Sequence, residues 1–191
     1  SGLTSPTFTP TADLPSNSVL FWRVRATNLC GNGTNSTAFS FTTLPLPGDC
    51  PIGFAPLPVY FTDFESGDAG WTSGGTGNTW ALSTARAWSG TKSEHATDPT
   101  AASDQQLVSP AVSLPVGQSP LNLIYYNHQT MESRTGGCFD GGILEISTAG
   151  PGGPWTQLEV QILTDPYDGP INGTSNVLNG LNGWCGNPQD W

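Results

Sequence analysis

The chain has 191 residues and a formal net charge of −10, with five lysines and arginines against fifteen acids. Its length allows one large domain or two small ones. An acidic surface repels phosphate backbones and anionic lipid headgroups, so the charge argues against nucleic acids and membrane surfaces as partners. The sequence also holds no apolar stretch long enough for a membrane span.

Turn-forming residues dominate the composition, with 24 glycines and 17 prolines. Many short runs of β-prone residues alternate with turns rich in Gly, Pro, Asn and Ser, and no stretch shows sustained helical periodicity. This pattern predicts an all-β fold built from antiparallel β-sandwiches.

The four cysteines are Cys30, Cys50, Cys138 and Cys185. None belongs to a CxxC pair, which argues against a structural zinc site. An even count in a polar, loop-rich chain predicts two disulfides and an oxidising compartment, and hence a secreted or cell-surface location. Of the three connectivities we favour Cys30–Cys50 and Cys138–Cys185, because each pair stays within one apparent domain. A bridge from Cys50 to the second domain is the alternative.

The first 44 residues end in the alternating pattern LPSNSVLFWRVRATNLCGNGTNSTAFSFTT. Residues 19–26 alternate, with Trp22 and Val24 on one face, and residues 39–43 form a later run that would pair with them. The stretch resembles the last three strands of a bacterial fibronectin type III domain. This resemblance implies that Trp22 and Val24 fill a sandwich core, and that the missing strands lie upstream or come from another chain.

Residues 45–58, LPLPGDCPIGFAPL, are proline-rich and predict an extended, semi-rigid linker. Residues 59–191 then carry VYFTDFESGDAGW, GNTWALST, LVSP and FDGGILEIS in that order. These motifs resemble the MAM-like jelly-roll domain, a β-sandwich of extracellular proteins, and especially the copies appended to secreted bacterial metallopeptidases. The family's closing strands are missing, so the chain is expected to be a fragment truncated at both ends.

A β-hairpin is predicted at the centre of the second domain, in LNLIYYNHQTMESRTGGCFDGGILEIS. Its β-rich arms are residues 121–128 and 143–147, and the Gly-rich loop and its roots hold Glu132 and Asp140. A short turn would bring these carboxylates together, where they bind a cation or the loop amides. Paired carboxylates also serve glycoside hydrolysis, but nothing in the sequence indicates the aromatic-lined cleft of such sites, so we favour a structural role.

Asp63 and Glu65 lie two positions apart on the predicted opening strand of this domain, so both side chains point to the same face. Neighbouring carboxylates repel unless they share a cation or an arginine. The jelly-roll resemblance implies a structural calcium site that uses Asp63 or Glu65 with backbone oxygens near residues 93–95. The alternative is a pair of solvated charges. The metal candidates are therefore Asp63, Glu65, Glu132 and Asp140, with calcium as the cofactor.

Residues 165–191 form a long loop rich in Asn, Gly and Pro, which the Cys138–Cys185 bridge would clip onto the hairpin. Long ordered loops often contact ligands. Tyr167, Trp184 and Trp191 could stack on sugar rings and form a carbohydrate-binding surface, whereas core packing and loop anchoring are the alternative use of the same aromatic rings.

Together these features predict a non-catalytic extracellular accessory or adhesion module, which provides spacing and recognises a protein or glycan surface. The resemblance implies that it belongs to a larger secreted bacterial protein, a peptidase. Two alternatives remain open. One is a carbohydrate-binding module that uses the aromatic loop. The other is a subunit of a surface filament, a homo-oligomer in which strands of a neighbour complete each domain.

Overall fold

The computed structural model describes residues 7–187 and confirms the predicted all-β class, because these residues form strands and no helix. All strand pairs are antiparallel and two-stranded. The strands are β1 Val19–Trp22, β2 Arg25–Asn28, β3 Gly31–Asn35, β4 Phe39–Thr42, β5 Thr72–Thr76, β6 Ala81–Ser83, β7 Ser93–His95, β8 Asp104–Val108, β9 Ser133–Arg134, β10 Gly137–Cys138, β11 Glu145–Ile146, β12 Thr156–Gln157, β13 Gly169–Pro170 and β14 Asn182–Gly183.

The chain divides into two compact units, Ser1–Leu57 and Pro58–Trp191. In unit 1, the predicted runs form one long hairpin. Strand β1 pairs with β4, from Val19 opposite Thr42 to Trp22 opposite Phe39. Strands β2 and β3 continue the hairpin towards its tip, with a register shift between them.

The aromatic residues of this hairpin are exposed rather than buried. Trp22 stacks on Phe39 with 5.1 Å between the ring centroids, yet 49% of the Trp22 side chain remains exposed. Val24 is 55% exposed. Within the described residues this two-stranded ribbon has no second layer to cover its faces, so the sandwich core that the resemblance implies for Trp22 and Val24 remains a prediction.

The predicted Cys30–Cys50 disulfide is also wrong, since both cysteines are free thiols. Cys30 lies at the tip of the hairpin, in the turn between β2 and β3. Cys50 lies at the opposite end, where its carbonyl accepts a hydrogen bond from Asn17 Nδ2 at 3.1 Å. A strand rises about 3.3 Å per residue, so the hairpin is far longer than the ~4.4–6.8 Å between Cα atoms that a disulfide allows.

Unit 2 contains five of the two-stranded ribbons. The longest joins β5 to β8, with Thr72 opposite Val108 and Thr76 opposite Asp104. Strand β6 pairs with β7, β9 with β10, β11 with β12, and β13 with β14. Gly75 is required where β5 meets β8, since its φ is +89° and an added Cβ would lie 1.9 Å from the carbonyl oxygen of Asp104.

The second predicted disulfide, Cys138–Cys185, is confirmed, with 5.7 Å between its Cα atoms. Around it lies the most buried part of the described chain. Cys138 and Ile171 are fully buried, and Cys185 and Trp184 are 5% and 7% exposed. We call Cys138, Ile171, Trp184 and Cys185 the disulfide cluster. Burial of a side chain such as that of Ile171 contributes about 1.5–3 kcal/mol to folding.

The hairpin predicted across residues 121–147 is wrong in its pairing. The residues on either side of Cys185 lie between the two expected arms of this hairpin. Met131 forms a bridge with Gly186, and Gly142 forms a bridge with Trp184. The second arm shortens to β11, whose partner is β12. Residues 121–128 form no strand. A segment far along the chain, held by the disulfide, therefore replaces the local hairpin partner.

We expect the untreated protein, unfolded under non-reducing conditions, to react with two equivalents of iodoacetamide, and with four after reduction. The reason is that Cys30 and Cys50 are free whereas Cys138 and Cys185 are bonded. Intact-mass spectrometry checks both numbers. Two adducts on peptides other than those of Cys30 and Cys50 would contradict the assignment.

The double variant Cys138→Ser/Cys185→Ser is expected to lower the free energy of unfolding by about 4 kcal/mol, because the bond closes a loop across a sequence separation of 47 residues. Urea denaturation followed by tryptophan fluorescence measures the loss. The double variant Cys30→Ser/Cys50→Ser is the matched control, since it makes the same chemical change at free thiols. Equal losses in both variants would show that the disulfide is not the source of stability.

Candidate functional site

The predicted sugar-stacking residues are part of the disulfide cluster or pack against it. Trp184 is 7% exposed, and its indole Nε1–H donates to the carbonyl oxygen of Asp165 at 2.9 Å. Tyr167 packs edge-on against Trp184 at 4.5 Å and its hydroxyl donates to the carbonyl oxygen of Leu158 at 2.7 Å. Trp184 and Tyr167 therefore anchor the loop and do not form an exposed platform. Trp191 lies outside the described residues.

Tyr125 contacts the disulfide cluster from the neighbouring segment. Its ring lies edge-on to Trp184 at 6.1 Å. Burial raises the pKa of Tyr125 well above its ordinary value, and Tyr167 and Asp165 raise it further. A neutral phenol at this position is consistent with an anchoring role.

Asp63 and Glu65 lie in a turn rather than on a strand, since unit 2 has its first strand at Thr72. Asp63 Oδ1 accepts a hydrogen bond from the backbone N–H of Glu65 at 3.1 Å, and Phe64 between them has a φ of +60°. A residue in this left-handed conformation interrupts the extended backbone that the alternation argument requires. The two carboxylates therefore do not share a strand face.

The carboxylate of Glu65 is held by hydrogen-bond donors of a single turn. Glu65 Oε1 accepts from the backbone N–H groups of Thr91 and Lys92, each at 2.6 Å, and Oε2 accepts from Thr91 Oγ1 at 2.7 Å. These donors, with the Lys92 charge, lower the pKa of Glu65 from its usual value, the Thr91 bonds contributing most. Gly90 makes room for this carboxylate, because an added Cβ would lie 2.6 Å from Glu65 Oε1.

The loop brings the backbones of Glu132 and Asp140 together, whereas the pairing of their carboxylates remains a prediction. The carbonyl oxygen of Glu132 accepts from the N–H groups of Phe139 and Asp140 at 3.0 and 3.3 Å. Both acidic residues are exposed. Across residues 7–187, no three His, Cys, Asp or Glu side chains lie close enough to hold a metal ion. The calcium site at Asp63, Glu65, Glu132 and Asp140 remains a prediction.

Residues 121–126 are an open apolar segment of unit 2, which we call the exposed run. Leu123 and Ile124 are 68% and 64% exposed. The backbone N–H and C=O groups of the run make no hydrogen bond with the described part of the chain. At its end, Tyr126 stacks on Trp88 at 4.2 Å between ring centroids and 9° between planes.

A second group of residues was missed by the sequence reasoning. Asp68, Trp71, Trp80 and Glu94 help to line a cavity of about 210 Å³. The available signal was the pair of tryptophans in GWTSGGTGNTW, close to Asp68. Glu94 carries no comparable local signal, because only the pairing of β6 with β7 places it beside the tryptophan-bearing segment.

Comparison with protein-family models, with curated proteins and with solved structures found no match to this chain. The resemblance to fibronectin type III and MAM-like domains therefore rests on the sequence motifs alone. Within residues 7–187 there is no helix of the length and apolarity that crossing a membrane requires.

The variant Glu65→Gln is expected to lower the thermal unfolding midpoint at neutral pH, because a neutral amide oxygen accepts hydrogen bonds from the N–H groups of Thr91 and Lys92 more weakly than a carboxylate does. Since the folded-state pKa of Glu65 is lowered, its stabilisation is complete above the unfolded-state pKa and is lost as the pH falls through the folded-state pKa. The difference between variant and wild-type midpoints should therefore shrink on acidification. Calorimetry across this pH range measures it.

The exposed Glu145→Gln is the matched control, with the same change of charge. Repeating both scans with calcium and with chelator separates the two roles of Glu65. A hydrogen-bonding role gives the same loss of midpoint in both solutions. A rise of the wild-type midpoint in calcium that Glu65→Gln abolishes would show instead that Glu65 is a ligand.

Proposed function

We propose that this chain is a non-catalytic recognition module of a secreted or cell-surface protein, and that it binds a protein partner by accepting a β-strand along the exposed run. The observation that carries the proposal is the run itself, an exposed apolar segment without strand pairing. Strand addition is an established mode of peptide recognition, in which main-chain hydrogen bonds supply affinity and alternate side chains supply specificity.

The composition of the run suits a β-strand. Leu121, Leu123, Ile124, Tyr125 and Tyr126 are β-prone or apolar, and each is at least partly exposed, from 44% to 68%. An unpaired backbone of this kind is a template for another strand. Native sheets usually protect such edges with charge or proline, and the run carries neither within its six residues.

The local charge also favours an apolar partner strand. Residues 105–131 contain no Asp, Glu, Lys or Arg, although the chain carries a net charge of −10. Charged residues are depleted at the centre of protein interfaces, where desolvation is costly. A partner strand laid on the run therefore buries apolar groups without removing charges from water.

The run is also held in place at one end. Tyr126 stacks on Trp88, and Tyr125 contacts Trp184 of the disulfide cluster. Since ordering a segment on binding costs free energy, anchoring by these two rings reduces the cost of accepting a strand. The exposed Leu123 and Ile124 then lie beside a fixed point rather than in a free loop.

The setting we propose is extracellular. The Cys138–Cys185 disulfide fits an oxidising compartment. The motifs that resemble fibronectin type III and MAM-like domains support an accessory or adhesion role within a larger secreted protein, a peptidase.

A second candidate function is a homo-oligomer, such as a surface-filament subunit. Two copies of the same run can pair antiparallel, and the hairpin of unit 1 adds exposed aromatic residues such as Phe21, which is 74% exposed. A carbohydrate-binding function is less well supported, because Trp184 is buried and the hydroxyl group of Tyr167 anchors the loop, so these two rings form no exposed surface for stacking on sugars.

The test compares Leu123→Lys with Leu114→Lys. Lysine on a strand edge opposes pairing, and both leucines are exposed, 68% and 58%, within the same uncharged stretch. The probe is a fluorescent peptide with the sequence of residues 119–128. We expect wild type and Leu114→Lys to bind it equally, and Leu123→Lys to bind about tenfold more weakly. Fluorescence anisotropy gives the affinities, and sedimentation velocity gives the oligomeric state.

The outcomes distinguish the two candidate functions. A monomer that binds the peptide through the run supports recognition of a separate partner. Concentration-dependent dimers or larger oligomers that Leu123→Lys alone dissociates support the homo-oligomer. A monomer that ignores the peptide, or equal effects of the two lysines, would show that the run does not accept a strand.

A further inference from the structure

A cavity of about 210 Å³ lies between two ribbons of unit 2, β5–β8 and β6–β7. Two pairs of directly opposed residues line it. Ser73 faces Leu107 across the first ribbon, and Leu82 faces Glu94 across the second. The cavity uses no residue of the exposed run or of the disulfide cluster, so it is a separate feature of the unit.

A hydrogen-bond network fixes the two ribbons around this cavity. Gln105 of β8 accepts at Oε1 from the backbone N–H and the hydroxyl of Thr79, each at 2.7 Å. Thr79 Oγ1 in turn accepts from the N–H of Thr97 at 2.8 Å, and Gln105 Nε2 donates to the carbonyl oxygen of Thr97 at 3.1 Å. Because Thr79 precedes β6 and Thr97 follows β7, and Ala81 pairs with His95, the network joins one end of that ribbon to β8.

Two tryptophans contribute to the cavity wall. Trp71 is fixed by its Nε1–H, which donates to Tyr60 Oη at 2.8 Å, and by edge-on packing against Phe64 at 5.7 Å. Trp80 is partly buried, and its indole N–H is a buried donor with no hydrogen-bond partner among residues 7–187. Such an orphan donor is uncommon in a protein interior.

Two carboxyl groups complete the wall. Burial raises the pKa of Glu94, and the negative charge of Asp68 raises it further. Asp68 is itself held by its Oδ1, which accepts from the N–H of Gly70 at 3.2 Å. The wall therefore places the half-buried carboxyl group of Glu94 near the exposed carboxylate of Asp68, and a positive charge there favours the ionised form of Glu94.

We propose that this cavity binds a small organic ammonium ion. Indole rings attract organic cations through their faces, and carboxylates that line the same groove add the opposite charge. The feature is an open groove of about 210 Å³. The site is independent of strand acceptance by the exposed run.

The residues of the wall favour an organic cation over an anion or a metal ion. Anions would meet Asp68 and Glu94 and be repelled. A metal ion needs several carboxylate, imidazole or thiolate ligands, and no such group of three occurs in residues 7–187. An organic cation uses both the carboxylates and the tryptophans, and the acidic unit as a whole draws cations towards it.

The experiment titrates the full chain with choline chloride at constant ionic strength, followed by tryptophan fluorescence and calorimetry. The matched probe is the neutral carbon analogue of choline, in which a tert-butyl group replaces the trimethylammonium group. We expect choline to bind with a dissociation constant on the order of 1 mM, and the neutral analogue at least about tenfold more weakly.

The variants Glu94→Gln and Asp68→Asn should each weaken choline binding by about tenfold. Asparagine can keep the hydrogen bond to Gly70, so Asp68→Asn tests the charge with the turn preserved. Glu145→Gln, on the exposed strand β11, is the control with the same change of net charge and should leave the affinity unchanged. Circular dichroism confirms that each variant is folded.

Three results would overturn the proposal. Equal binding of choline and its neutral analogue would show an apolar cavity without selection for charge. Binding of glucose in place of choline would assign the cavity to a neutral hydroxylated ligand. Failure of choline to bind, or binding that both folded acid variants retain in full, would remove the ammonium site. None of these results affects the peptide test of the exposed run.

Discussion

The Cys138–Cys185 disulfide is the constraint on which most of unit 2 depends. It holds residues 184–186 between Met131 and Gly142, where their backbone groups pair with both. The most buried side chains of the described chain gather around it. By occupying the place of a hairpin partner, this segment also leaves residues 121–126 unpaired. The best-packed region of the described chain thus lies around this bond.

Sequence reasoning succeeded where the signal was local and failed where a distant segment intervened. Turn spacing and alternation identified the all-β class and the pairing of residues 19–22 with residues 39–42. The Cys138–Cys185 bond followed from its position within one domain. The alternation over residues 121–147 looked equally regular. Local alternation, however, cannot reveal that residues 184–186 lie between the two halves of the predicted hairpin.

The candidate sites show the same division between local and distant information. Alternation assumed an extended backbone at Asp63 and Glu65, whereas a positive φ at Phe64 turns the chain there. The hydrogen bonds that occupy Glu65 come from residues 91 and 92, and sequence spacing cannot anticipate them. Likewise, strand pairing alone places Glu94 near Asp68 and two tryptophans. Glu65 and Glu94 therefore have different surroundings, although the composition counts both simply as negative charges.

The disulfide has a further consequence if the chain is ever pulled from its two ends. Residues between Cys138 and Cys185 lie in a covalently closed loop with a sequence separation of 47 residues, so tension passes through the sulfur atoms and bypasses them. At about 3.4 Å per residue, some 160 Å of contour length is withheld from extension. Under load the bond shortens the reach of the chain, and a reducing environment would release that length.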